Sequence, residues 1–64
     1  MNKQNSDVLT ALLQEPFINQ RILAEVSGHS LGVVNRSLKE LIRDGYLDDS
    51  ARPTMRAVTE FKQK

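Results

Sequence analysis

Four positions near the middle of the chain carry most of the chemistry it can offer. In Ser30 to Gly45, SLGVVNRSLKELIRDG, the residues Gly32, Arg36, Lys39 and Arg43 recur at helical spacing. At about 100° per residue they gather within a sector of roughly 60° on one side of a helix. A guanidinium is a planar fork that pairs with a phosphate or with the edge of guanine, and an ammonium is a compact point charge. A glycine in the same stripe lets a ligand approach the backbone closely. The chemistry on offer is anion recognition. Bond-breaking chemistry is poorly supplied: there is one His and no Cys. Asp48 and Asp49 are neighbours on a predicted turn and do not form a framed acid and base pair. No glycine-rich phosphate loop is present, and a metal site would lack ligands. Neither an enzyme nor a cofactor is expected.

A helix must hold that stripe outward, and the same sixteen residues supply one. Val34, Leu38, Leu41 and Ile42 fall at i, i+4, i+7 and i+8, the spacing of a buried helical stripe. Ser30 is suited to cap the N-terminus, and Gly45 suits the left-handed position beyond the C-terminus. Taken alone, three basic residues on a helix surface describe a solvated face. Glu40 and Asp44 offset them locally, and Arg36 with Glu40 has the i, i+4 spacing of an ordinary ion pair.

Composition limits what the stripe can mean. With 64 residues and 39% hydrophobic side chains, the chain reads as a single domain, residues 1–64, near the lower limit for an independent core. Nine Lys and Arg against eight Asp and Glu give a net charge of only +1. Overall charge therefore does not announce nucleic acid, and the argument rests on where the charges sit. The absence of Cys excludes a disulfide framework. No apolar run approaches a membrane span, and Met1 to Asn5 is too polar for a signal peptide, so a cytoplasmic location is expected.

Taken in order, Met1 to Asn5 is expected to fray. Asn5 or Ser6 should cap a first helix, with Asp7 near its positive end and Leu9, Leu12 and Leu13 as its apolar stripe. Pro16 should end that helix, and Phe17 and Ile18 should tuck against the core. Asn19 should cap a second helix over Gln20 to Ser27, with Leu23 and Val26 inward and Gly28 as terminator. Only His29 then separates Gly28 from Ser30. Two helices joined by so short a turn describe a helix-turn-helix over residues 19–45, and the small Ala24 allows the two helices to cross closely. His29 reads as a packing residue. After Gly45, Tyr46 to Asp48 and Ala51 to Pro53 read as two short strands about a turn at Asp49 and Ser50. Thr54 should cap a last helix from Met55 to about Gln63, with Val58, Phe61 and Met55 inward. The expected fold is mainly α with a small β-hairpin wing at 46–54, a three-helix core and a C-terminal helix.

The run Asn19 to Asp48, NQRILAEVSGHSLGVVNRSLKELIRDGYLD, resembles bacterial winged helix-turn-helix domains of the MarR-like and related regulator type. The resemblance rests on the small Ala24, the turn glycine Gly28, the helix-opening Ser30, and Val34, Arg36, Leu38 and Leu41. Gly45, Tyr46 and Leu47 then match the step into the wing. His29, Ile22 and Ser27 depart from the usual leucine, charged residue and leucine, and Thr54 is followed three residues later by Ala57 where glycine is common. Asp48 and Asp49 at the wing weaken its expected contacts with phosphate, leaving Arg52 as its one basic residue. The same run also resembles amino-terminal winged-helix segments of bacterial nucleotidyltransferase-type proteins.

The resemblance implies a DNA-binding module of a transcriptional regulator, with the third helix in the major groove of double-stranded DNA. Leu31, Gly32, Val33, Asn35 and Arg36 would face the bases: Asn35 pairs well with adenine, Arg36 with guanine, and Val33 suits a thymine methyl. Ser30, Lys39, Arg43, Arg21 and Arg52 would meet phosphates, which position the protein without specifying sequence. Regulators of this class are usually homodimers that read two half-sites. Ile22, Leu31 and Val33 are apolar residues expected to be partly exposed, and they support a second reading: a protein-interaction or docking module at the amino end of a larger enzyme, without DNA.

Overall fold

Asparagine, serine and threonine caps, placed ahead of apolar stripes, cut the described residues into four helices. The computed structural model describes residues 1–61. They form α1 (Lys3–Gln14), α2 (Gln20–Ser27), α3 (Leu31–Arg43) and α4 (Met55–Phe61). The Asn2 side chain accepts from the Asn5 backbone N–H at 2.7 Å, so α1 opens before Asn5 and Ser6, the caps expected from sequence. The start of the chain is helical from Lys3 onward and not frayed. The helix stops at Gln14, one residue short of the position that Pro16 restricts.

The boundaries of the next two helices fall where the sequence puts them. The Asn19 carboxamide accepts from the Ile22 N–H at 2.9 Å. Gly28 ends α2 in the left-handed region, at φ 78°. There the N–H groups of Gly28 and His29 both donate to the Ala24 carbonyl, at 3.0 and 3.1 Å, satisfying a carbonyl that the helix itself leaves free. Ser30 then caps α3, accepting from the Val33 N–H at 3.2 Å.

The core is one cluster. Val8, Leu9, Ala11 and Leu12 of α1, Leu23 of α2, Val34, Leu38 and Leu41 of α3, Leu47 and Ala57 are buried together. Helix α1 packs against each of the other three, most extensively against α3. Four apolar residues depart from expectation. Val26 is 60% exposed, and Met55 and Val58 are 77% and 40% exposed. Helix α4 instead turns Ala57 and Phe61, one turn apart, toward the core. Of the expected inward link, Ile18 packs against the cluster but Phe17 is 77% exposed. The part of the last helix expected up to Gln63 lies outside the described residues.

The expected wing is not present. The described residues form a four-helix bundle without a β-strand or sheet, and the segment 46–54 is a tight turn. A single antiparallel bridge joins Leu47 and Pro53. Local chemistry explains why no ladder grows from it. The Asp48 carboxylate accepts from the backbone N–H groups of Ser50 and Arg52, at 2.8 and 3.1 Å, winding the chain into a side-chain-held turn. Ala51 sits at φ 62°, outside the strand region. Pro53 has no N–H to contribute to a ladder.

Candidate nucleic-acid interface

The outer face of α3 is built by its cap, its buried stripe and its end. Ser30 sets the start, and the buried Val34, Leu38 and Leu41 fix the rotation of the helix. Leu31, Gly32, Asn35, Arg36, Lys39 and Arg43 are consequently exposed, and Val33 is half-buried. The far end is secured by Arg56 of α4, whose Nη1 donates to the Asp44 carbonyl. The same side chain donates from Nε to Glu60 at 3.2 Å and lies over the Tyr46 ring, 4.4 Å from its centroid. Tyr46 in turn donates to Glu60 at 2.7 Å and meets Phe61 edge-on at 5.6 Å. The hydrogen bond to Glu60 holds the phenol proton and raises the Tyr46 pKa above its ordinary 10.0. The hydrogen bonds from Tyr46 and Arg56 lower that of Glu60.

The charged groups of the face are available in different degrees. Arg36, Lys39 and Arg21 make no hydrogen bond or ion pair among the described residues. Arg43 is close to its exposed neighbour Asp44, Nε to Oδ1 at 3.4 Å. The pair that spacing allows between Arg36 and Glu40 is absent among the described residues: Glu40 Oε1 accepts instead from Asn5 Nδ2 of α1 at 2.9 Å. The Ser30 hydroxyl is engaged in its cap. Arg21 lines an open groove with Asn19, Gln20, Ile22 and Leu31, where the N-terminal ends of α2 and α3 meet. Ile22 and Leu31 are 45% and 46% exposed there. Arg52 lies over the Phe17 ring at 4.5 Å, so it is engaged with the α1–α2 loop.

Two supporting residues, Asn5 and Arg56, have roles the sequence does not point to, and a third, His29, does more than pack. Asn5 has the residue type of a cap, yet it continues the stripe of Leu9 and Leu12 at i, i+4 and i+7, a spacing that marks an inward position. Arg56 carried no local signal, because its partners come from α3 and the turn. His29 does pack, with its side chain 20% exposed, but it also meets Asp7: Nε2 lies 2.9 Å from Oδ2. That contact ties the helix-turn-helix turn to α1. It lowers the Asp7 pKa from 3.8, with help from Lys3, whose ammonium is 3.5 Å away. Among the described residues no group of three or more His, Cys, Asp or Glu is placed to hold a metal ion. None of their helices is long and apolar enough to cross a membrane.

A capped helix, a left-handed glycine turn and a second capped helix with an outward basic face together define a helix-turn-helix module. A family model described as winged helix-turn-helix DNA-binding matches residues 1–48, which is 48 of the 64 residues. The chain belongs to that family. The match covers α1 to α3 and stops at Asp48, at the start of the turn that replaces the wing. No curated protein and no solved structure matches the chain.

Proposed function

We propose that this chain is a DNA-binding module of a MarR-like transcriptional regulator of the bacterial cytoplasm, inserting the N-terminal half of α3 into the major groove. The observation that carries the reading is the availability of Arg36 and Lys39, exposed on the second helix of the helix-turn-helix with no carboxylate partner among the described residues. In this reading Leu31, Gly32, Val33, Asn35 and Arg36 meet base edges. Lys39, Arg43 and Arg21 meet phosphates, with Ser30 contributing the free amides of the turn that it caps. Arg52, stacked on Phe17, is a phosphate contact from the 48–52 turn. With a net charge of +1, one copy binds weakly, and a homodimer or further domains of a longer parent chain supply the remaining affinity. The test is selection of bound sequences from a random duplex library at two salt concentrations. A recovered consensus whose binding weakens steeply with salt, and is lost on Arg36→Ala, is the expected result. No enrichment at either salt would overturn the reading.

The exposed Ile22 and Leu31, side by side in one groove, favour a second reading as a docking module of a larger protein. It differs in its test: Ile22→Ser or Leu31→Ser would disrupt association with a protein partner, and Lys39→Ala would not.

A further inference from the structure

Glu40 stands one helical turn beyond Arg36, where a carboxylate ordinarily pairs with a guanidinium. Arg43, three residues further along, is a second cation within its reach. Neither holds it. Its Oε1 accepts from Asn5 Nδ2 at 2.9 Å, across 35 residues of sequence. Asn5 is 6% exposed and is one of two buried polar residues among those described. It is itself fixed, since its backbone N–H donates to the capping Asn2 side chain at 2.7 Å. An amide suits this position. It donates without bringing a second charge into the first turn of α1, where a buried cation would be costly.

We infer that Asn5 is a positioning residue that holds the Glu40 carboxylate toward α1 and so keeps Arg36 free to engage nucleic acid. The inference rests on the DNA-binding reading above. Without the Asn5 amide, Glu40 is released to pair with Arg36 along the helix. That pair holds the guanidinium against the helix surface and sets a carboxylate beside the incoming phosphates. Asn5 touches no DNA in this scheme and acts through Glu40 alone.

The test is a double-mutant cycle on the 64-residue chain, reading affinity for a mixed-sequence duplex across a range of salt. Asn5→Ala is expected to weaken binding about two- to five-fold and to make the salt dependence shallower. Glu40→Gln is expected to restore binding in the Asn5→Ala background and to change it much less in the unaltered chain. Equal effects of Glu40→Gln in both backgrounds would overturn the inference while leaving DNA binding intact. Failure of the unaltered chain to bind any duplex would remove the DNA reading and this role with it. Circular dichroism establishes that each variant is folded, and Asn5→Ser replaces Asn5→Ala if the latter is not. Nuclear relaxation of the Arg36 Nε–H group in the DNA-free, unaltered chain gives a second readout. A mobile side chain is expected, and one ordered as tightly as the backbone would overturn the inference.

Discussion

Gly32→Ala separates the demands of folding from those of binding. Gly32 lies in the first turn of α3, exposed, and a Cβ added there meets no atom within 4 Å. Nothing in the folded chain opposes the methyl group. Alanine also restricts the unfolded chain and prefers the helix, an advantage of about 0.5–1 kcal/mol over glycine. For a domain of this size each kcal/mol moves the melting temperature by about 4–8 °C, so a rise of roughly 2–8 °C is expected. Binding should respond in the opposite direction. The added methyl projects from the face proposed to approach the base edges, and overfilling a fitted contact costs about 1–3 kcal/mol, or roughly 5- to 150-fold in affinity. Thermal melting by circular dichroism and anisotropy with a selected duplex read the two quantities independently. A lower melting temperature would refute the account of Gly32 as an unobstructed helical position. A higher one with unchanged affinity would refute close approach at Gly32, and with it the placement of this half of α3 in the groove.

Other perturbations probe the parts that hold the face in place. Ala51→Gly removes the cost of a left-handed alanine at φ 62° and, after the greater backbone entropy of glycine, should stabilise the chain by up to about 1 kcal/mol in denaturant unfolding. The Asp7 pKa is lowered in the folded chain, so its contribution to stability is present above about pH 4 and is lost as pH falls through the lowered value. Asp7→Asn should therefore lower the melting temperature near neutrality, and the difference from the unaltered chain should close in acid. Tyr46 is the one tyrosine, so its phenolate absorbance is unambiguous. Its titration midpoint should lie above 10 and return toward the ordinary value in Glu60→Gln.

What the sequence disclosed was local chemistry. Asn19, Gly28, Ser30 and Gly45 mark helix boundaries through their own side chains or lack of one, and the boundaries of α2 and α3 fall accordingly. The stripe of Val34, Leu38 and Leu41 was equally legible, because a 13-residue helix repeats its period enough times to fix a face. Shorter elements failed that test. With eight and seven residues, α2 and α4 have too few turns to decide between neighbouring faces, and Val26, Val58 and Met55 proved to face outward. The missing wing was not legible because Pro53 and Asp48 compete with a ladder. Asp48 spends its carboxylate on the turn, which alternation of side chains does not reveal. The freedom of Arg36 was hidden for a related reason. Spacing on α3 suggests Glu40 as its partner, and only the packing of α1 brings Asn5 close enough to take that carboxylate.

The turn after α3 also governs how copies of this chain can meet. A hairpin would have offered an edge, a row of unpaired N–H and C=O groups that another chain can extend. Here the Asp48 N–H donates to the Arg52 carbonyl at 2.9 Å and the Thr54 N–H to the Tyr46 carbonyl at 3.0 Å. Ser50 and Arg52 donate to the Asp48 side chain, and Pro53 has nothing to donate. Among the described residues, no strand lies ready for backbone-to-backbone extension. A contact between copies made at this turn would rest on side chains and not on a backbone ladder.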